Sequence, residues 1–234
     1  IEISKSLKRS EYDIIEIDAN ESLKKEIEVH SPDVIFNALH GTWGEDGKVQ
    51  KIIESTGVPY TNSGINASEI AMDKYESAKK FMKNNIAYPI TKLLSFEELD
   101  KNISLKYPYV LKPRSEGSSV GVAIISNYDD KKKYIMDNLN RKEVLMQEFI
   151  DGLEVQVAVI GDNKTGSIEI IPKNKFYDYE SKYFDDGKTK HIIPPRISDD
   201  KILYVEELGM RAHKILGCKG ISRSDFILEK VNIG

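Results

Sequence analysis

Apolar positions along the chain change period several times, and the changes divide it into elements. Ile3–Leu7 carry the spacing of the end of an amphipathic helix, and Tyr12–Ile17 (YDIIEI) alternate as a strand does. Asp33–Leu39 (DVIFNAL) form a continuous apolar run of the kind buried on both faces of a parallel sheet. The glycine-rich turn His40–Gly47 follows, then a helix over Val49–Ser55 and a short strand over Val58–Tyr60. This alternation predicts an open α/β unit, with ligands expected at the carboxyl ends of its strands, where His40 falls. For one histidine, a plain strand-to-helix turn is the more ordinary account.

Asn66, with Glu69 three residues on, has the form of a capping box. Ala71, Tyr75, Ala78 and Met82 then recur at helical spacing, with Lys74 off that stripe as a solvated lysine would be. Pro89 and Pro108 bracket a connecting region with a short helix near Phe96–Leu99. Tyr109–Lys112 read as a strand, and the stretch Tyr109–Ile125 (YVLKPRSEGSSVGVAII) as two apolar runs around a small, flexible loop. Asn127, Asp129 and Asp130 open a helix through about Leu139, and Val144–Phe149 form the next strand. Glu154–Ile160 and Ser167–Ile171 pair as a hairpin about the turn Gly161–Gly166. Lys173–Pro195 lose periodicity while holding Tyr177, Tyr179 and Tyr183, a length and composition expected of a lid loop. Lys201–Leu216 form a helix with Val205, Leu208, Ala212 and Ile215 on one face and Gly217 at its end. In the last strand, Gly220–Glu229, Phe226 and Leu228 face one side and Arg223, Asp225 and Glu229 the other.

Composition narrows the class. The 234 residues are 40% hydrophobic and 31% charged, ordinary for a globular chain with a sizeable core. A net charge of -4 argues against nucleic acid as the main partner, and no apolar run reaches membrane-spanning length, so neither nucleic acid nor membrane is expected as a partner. The single cysteine, Cys218, excludes a disulfide framework and fits a reducing cytoplasm.

Chemistry concentrates in the loop after Lys112. Gly117-Ser118-Ser119-Val120-Gly121 matches the G-x-S-x-G nucleophile elbow, but that elbow needs a strand-to-helix turn and a strand follows here. Neither a Walker loop nor a G-x-G-x-x-G fingerprint occurs. What remains is either a flexible hairpin tip or a loop whose amides and hydroxyls fold over phosphate oxygens beside the Lys112 ammonium. The segment Glu148–Glu154 joins two sheets, and its backbone, at Glu148 and Ile150 among others, could meet a base while Glu154 meets ribose hydroxyls. The alternative for Glu154 is a surface acid on an edge strand.

HGTWGEDG, AMDKYESAK, VLKPRSEGSSVGV, QEFIDGLEVQVAV, KFYDYESKY and LGCKGISRSDFIL, in that order, resemble the signatures of the D-alanine–D-alanine ligase family of the ATP-grasp superfamily. The resemblance implies an α/β (α+β overall) chain with an ATP-grasp fold. An N-terminal open α/β unit (1–65) would be followed by a central unit with the phosphate loop (66–149) and a C-terminal unit with the lid (150–234), the last two holding ATP between antiparallel sheets. It further implies that Lys74 and Lys112 contact the nucleotide phosphates, that Glu116, Gly117, Ser118 and Ser119 close over them, and that Gln147, Glu148 and Ile150 line the base site with Glu154 on the ribose. Gln147 stands where the family often has glutamate. Lys182 and Tyr183 would belong to the lid, Tyr183 docking on Ser118; His40 would line the first D-alanine site, Arg223 would stabilise the developing oxyanion, and Asp225 would bind magnesium.

The activity so implied is ATP-dependent joining of two D-alanines through an acyl phosphate, for peptidoglycan and hence cell shape. It comes with two Mg2+ ions (Mn2+ as a substitute), a cytoplasmic location and a homodimer. A ligase with a D-hydroxy acid or other amine acceptor, and a nucleotide-binding protein without catalysis, are the alternatives. Because the family's glycine-rich first loop and its later metal-binding strand have no counterpart between Ile1 and Gly234, the sequence is expected to be part of a longer enzyme, truncated at both ends and inactive by itself.

Overall fold

A computed structural model describes residues 2–10, 12–101, 105–117, 120–171 and 189–229. The N-terminal unit contains helices α1 (Glu2–Lys8), α2 (Leu23–His30) and α3 (Lys48–Glu54). Leu23 and Ile27 of α2 and Val49 and Ile53 of α3 make its buried centre, with Ile17, Ile35, Leu39 and Val58 packed around them. The expected apolar positions therefore do face a core, but the expected strands do not form. Among the described residues, Tyr12–Ile17 join no ladder, and 33–39 and 58–60 are reduced to one parallel bridge, Ile35 with Tyr60. Val34 and Phe36, predicted to be buried on both faces of a sheet, are exposed. A strand is defined by its neighbour, and among the described residues the backbone hydrogen bonds of Ile35 go to Pro59 and Thr61, at 2.8 and 2.9 Å.

The next helical stretch is two helices, α4 (Ile65–Met72) and α5 (Lys74–Lys83), broken at Asp73. Asp73 leaves helical geometry at ψ 96 and accepts from the amides of Tyr75 and Glu76 as the α5 N-cap. The capping box expected at Asn66 and Glu69 is absent: Asn66 lies inside α4, and Gly64 precedes it without a side-chain cap. Met82, placed on the apolar stripe, is exposed.

Strands β1 (Thr91–Ser95), β2 (Tyr109–Lys112), β3 (Ala123–Ile125) and β4 (Glu143–Glu148) form an antiparallel sheet in the order β1-β4-β2-β3, with helices α6 (Phe96–Lys101) and α7 (Tyr128–Asp137). Tyr109, Leu111, Val144 and Met146 turn to one side, where Leu99, Ile125 and Tyr134 complete a dry core. Each such fully buried apolar side chain contributes roughly 1.5–3 kcal/mol. The predicted hairpin around the Lys112 loop is present as β2 and β3, paired Tyr109 to Ile125. β1 was not foreseen, since Thr-Lys-Leu-Leu-Ser has no clean alternation and becomes a strand by pairing with β4.

A second antiparallel sheet, ordered β7-β6-β5-β8, is built from β5 (Gly152–Ile160), β6 (Asn163–Ile171), β7 (Lys190–Ile192) and β8 (Ile221–Glu229). Helix α8 (Asp199–Leu216) lies on one face, Val205 against Val155, Val157, Phe226 and Leu228. Gly209 permits this approach, because a Cβ there would sit 2.6 Å from Val157 Cγ1. As predicted, Gly217 ends α8, at φ 75, and β8 alternates with Arg223, Asp225 and Glu229 on the more exposed side. The sheets meet at 149–151, and α5 packs on α8 through Phe81, Ile86, Leu208, Ala212 and Ile215. Among the described residues no helix is long and apolar enough to cross a membrane.

Candidate functional site

Lys112 ends β2 beside the buried centre of the first sheet. Its Nζ donates to Gln147 Oε1 at 2.6 Å, and Gln147 Nε2 donates to Thr91 Oγ1 at 2.7 Å, so one chain of hydrogen bonds runs across β2, β4 and β1. Burial, reinforced by the nearby charge of Lys74, pulls the Lys112 ammonium down to about 8. Lys74 is not the solvated helix lysine that its place off the apolar stripe predicts. The break at Asp73 turns it inward, where its Nζ donates to the Glu116 carbonyl at 2.5 Å and its backbone N–H to the Arg114 carbonyl at 3.0 Å. Burial lowers its pKa too, partly offset by the charges of Glu116 and Asp73. Two desolvated cations from different elements thus converge beside one loop, which is electrostatically unfavourable without an anion and favourable with one.

The loop is held from outside. Arg141 grips the Glu116 carboxylate with two guanidinium nitrogens, the second at 3.0 Å, and donates to Asn138 Oδ1 at 2.9 Å. Arg114 is doubly bonded to Asp73, at 2.9 Å from Nε and 2.7 Å from Nη2, and reaches Glu143 at 3.3 Å. Burial alone would raise Asp73, but Arg114 and the amides of Glu76 and Tyr75 together hold it below the usual carboxylate range. Gly117 lies against the N-terminal turn: a Cβ on it would be 3.5 Å from the Gly41 Cα. That turn is fixed because the Gly44 carbonyl accepts from Asn37 Nδ2 at 3.1 Å and Gln50 Nε2 at 2.8 Å. His40 at its start is largely exposed, 3.6 Å from Glu45.

Glu148 closes β4, its amide donating to the Ile90 carbonyl at 2.8 Å and its carboxylate accepting from Ile90 N–H at 3.2 Å. Ile150 follows in the crossing to the second sheet. Glu154 is not on an edge strand: β5 lies between β6 and β8. By register Glu154, Gln156, Arg223 and Asp225 share the sheet face opposite α8. Arg223 Nε donates to Asp225 Oδ1 at 2.9 Å.

The structure therefore groups Lys74, Lys112, Glu116, Gly117 and Gln147 on the first sheet's loop, with the His40 turn beside them, and Glu154, Arg223 and Asp225 on the second sheet. Ser118, Ser119, Lys182 and Tyr183, with the rest of 172–188, lie outside the described residues. Sequence reasoning missed Asp73, Arg114 and Arg141. Asp73-x-x-Glu76 carries a capping signal as good as the Asn66 pattern; for Arg141, in a turn remote in sequence from the loop, no local signal exists.

Two family models match the chain: D-ala D-ala ligase N-terminus over residues 2–63 and D-ala D-ala ligase C-terminus over 69–233. The D-alanine–D-alanine ligase of Pelagibacter ubique is 44% identical, the match covering 96% of this chain and 76% of that one. The crystal structure of the Bacillus anthracis D-alanine–D-alanine ligase superposes with a TM-score of 0.82 at 31% identity, covering 98% of this chain and 76% of that one. The same enzyme complexed with ATP gives 0.76 at 27%, covering 94% and 72%.

Proposed function

The chain belongs to the D-alanine–D-alanine ligase family, whose members have the ATP-grasp fold, and on that premise we propose how its own residues serve ATP-dependent, ADP-forming ligation of two D-alanines for peptidoglycan synthesis. The observation that carries the reading is that Lys74 and Lys112, two partly desolvated ammoniums close enough for the charge of Lys74 to depress Lys112, lie beside the Glu116–Gly117 loop.

Lys112 and Lys74 neutralise phosphate oxygens, and partial burial of both ammoniums strengthens that attraction relative to an exposed lysine. The backbone at Gly117 closes over the phosphates, with Ser118, Ser119, Lys182 and Tyr183 assigned to the closing segments. Gln147, Glu148 and Ile150 border the base and Glu154 accepts from ribose hydroxyls. His40 borders the first D-alanine. ATP transfers its γ-phosphoryl group to that alanine's carboxylate with release of ADP, and the amine of the second D-alanine, having lost a proton, attacks the acyl phosphate so that inorganic phosphate leaves as the peptide bond forms. Arg223 stabilises the oxygen that gains charge at that carbon.

Among the described residues no group of three or more candidate metal ligands occurs, so the chain's described contribution to an Mg2+ site is one carboxylate, Asp225, which Arg223 also engages. This ion usually takes one or two carboxylates together with substrate phosphates, and Asp225 supplies a partly exposed carboxylate on the site face. Asp225 would hold the ion, which when bound neutralises phosphate charge.

We divide the chain functionally into 1–65, 66–149 and 150–234, and assign the enzyme to the cytoplasm as a homodimer, a state that sedimentation would test. The central test is incubation of the full-length enzyme with ATP, Mg2+ and D-alanine, following ADP and D-alanyl-D-alanine together. Equimolar formation of both, lost in Lys112→Ala and Arg223→Ala, is expected. ADP release that is independent of D-alanine and yields no dipeptide would overturn the reading.

A further inference from the structure

One side chain on the second sheet's site face has a donor that none of the described residues satisfies. Gln156 is only 9% exposed, yet among the described residues its Nε2 has no hydrogen-bond partner. Buried amide donors are nearly always paired, and an unpaired one calls for an explanation, an ordered water or a ligand oxygen being the two that supply an acceptor. Its neighbours do not provide one: Ile168 stands opposite on β6, and Asp225, opposite on β8, is engaged by Arg223 at 2.9 and 3.4 Å.

We propose that Gln156 is a further ligand-binding residue, its Nε2–H donating to an oxygen of the nucleotide's phosphate chain. The argument is positional. Side chains two apart on a strand lie roughly 6.6 Å apart on one face, and direct cross-strand neighbours about 5 Å apart. Gln156 is two residues past Glu154 on that face and directly across from Asp225. If ribose lies on Glu154 and the phosphates extend toward Asp225, the first phosphates pass over Gln156. An amide is suited to that place: it donates without adding a charge that would compete with Asp225, and a carboxylate there would repel the ligand. The inference rests on the assignments of Glu154 and Asp225 made above.

The test is calorimetric titration of ATP and adenosine into the parent chain and its Gln156→Met, Glu154→Ala and Lys112→Ala variants, with a melting curve of each without nucleotide. Methionine keeps the volume and removes the donor. A hydrogen bond to a charged acceptor predicts roughly ten- to a hundredfold weaker ATP binding for Gln156→Met, unchanged adenosine binding, and a nucleotide-free melting temperature at or above the parent's, since an unpaired buried donor has been removed. Unchanged ATP affinity, a lower melting temperature with unchanged affinity, or equal losses for ATP and adenosine would each overturn the proposal. If Glu154→Ala and Lys112→Ala weaken ATP while Gln156→Met does not, the site reading stands and only this inference falls. If none of the three weakens ATP, the site reading itself has failed.

Discussion

Lys112 Nζ on β2 donates to Gln147 Oε1, its diagonal neighbour on β4, at 2.6 Å, and the partner is an amide, not a carboxylate. An amide accepts the ammonium's hydrogen bond without neutralising it, so burial and the charge of Lys74 leave Lys112 near 8 and its charge available to a phosphate. The protonated form binds phosphate, so ATP affinity should hold below pH 8 and fall as pH rises through that value. In Gln147→Glu an adjacent carboxylate raises the lysine, by roughly 1–3 units for an opposite charge at this range. The fall should then move to higher pH, while affinity at pH 7 drops because the anion is already in place. ATP titrations from pH 7 to 10 check both; coincident profiles would show that Lys112 does not govern binding.

Arg141 touches no expected ligand, yet it should matter to ATP. It holds the Glu116 carboxylate, and the Glu116 carbonyl fixes Lys74 Nζ at 2.5 Å. Arg141→Ala frees the loop and with it Lys74, so KM for ATP should rise several-fold with a smaller change in kcat. The pair is partly solvated, so the stability loss should be about 1 kcal/mol or less. Urea melts and steady-state kinetics separate the two effects; a large melting shift with an unchanged KM would make the pair purely structural.

Asp73 links helix geometry to the site, because it caps α5 one residue before Lys74 and binds Arg114. Asp73→Ala should cost about 1–2 kcal/mol, a lost cap together with a partly buried ion pair. The pKa of Asp73 is depressed in the folded chain. Its contribution is therefore fully present above the unfolded carboxylate value of about 3.9 and is lost as pH falls through the lower folded value. Asp73→Asn keeps the cap but not the charge, so its stability difference from the parent should shrink as pH falls from 5 toward 2.

These residues also mark where sequence stops being legible. The β2–β3 hairpin, α8 with its terminal Gly217 and the alternation of β8 were readable because each is set by local periodicity and turn chemistry. Periodicity alone made Lys74 a solvated helix lysine because the apolar stripe runs unbroken past Asp73, although Asp73-x-x-Glu76 carries the capping signal that divides the stretch into two helices. The strands expected at Tyr12–Ile17 and Asp33–Leu39 have the right side chains but lack a ladder partner, and β1 has a partner without the pattern. The roles proposed for Arg141 and Gln156 rest on what the fold brings opposite them. The family motifs located the loop and β8, but neither motif nor period reports an unpaired donor.

Gly152 should be the least replaceable residue at the junction of the sheets. It opens β5 against Glu229 of β8, and a Cβ there would be 2.6 Å from the Leu228 carbonyl carbon and 2.8 Å from Ile227 Cγ2. The obstacle is mostly backbone, which no rotamer change relieves. Gly152→Ala must therefore shift β5 from β8, costing roughly 1–3 kcal/mol as overpacking does. The same shift moves Glu154, two residues on, relative to Asp225, so ATP affinity should fall even under conditions where the variant is fully folded. Gly161→Ala, in the turn between β5 and β6 where a Cβ meets nothing within 4 Å, is the control. Its positive φ of 59 carries a cost in stability, but its ATP affinity should match the parent's. Equal ATP affinities for the two folded variants would mean that the β5–β8 approach at Gly152 does not position the nucleotide site.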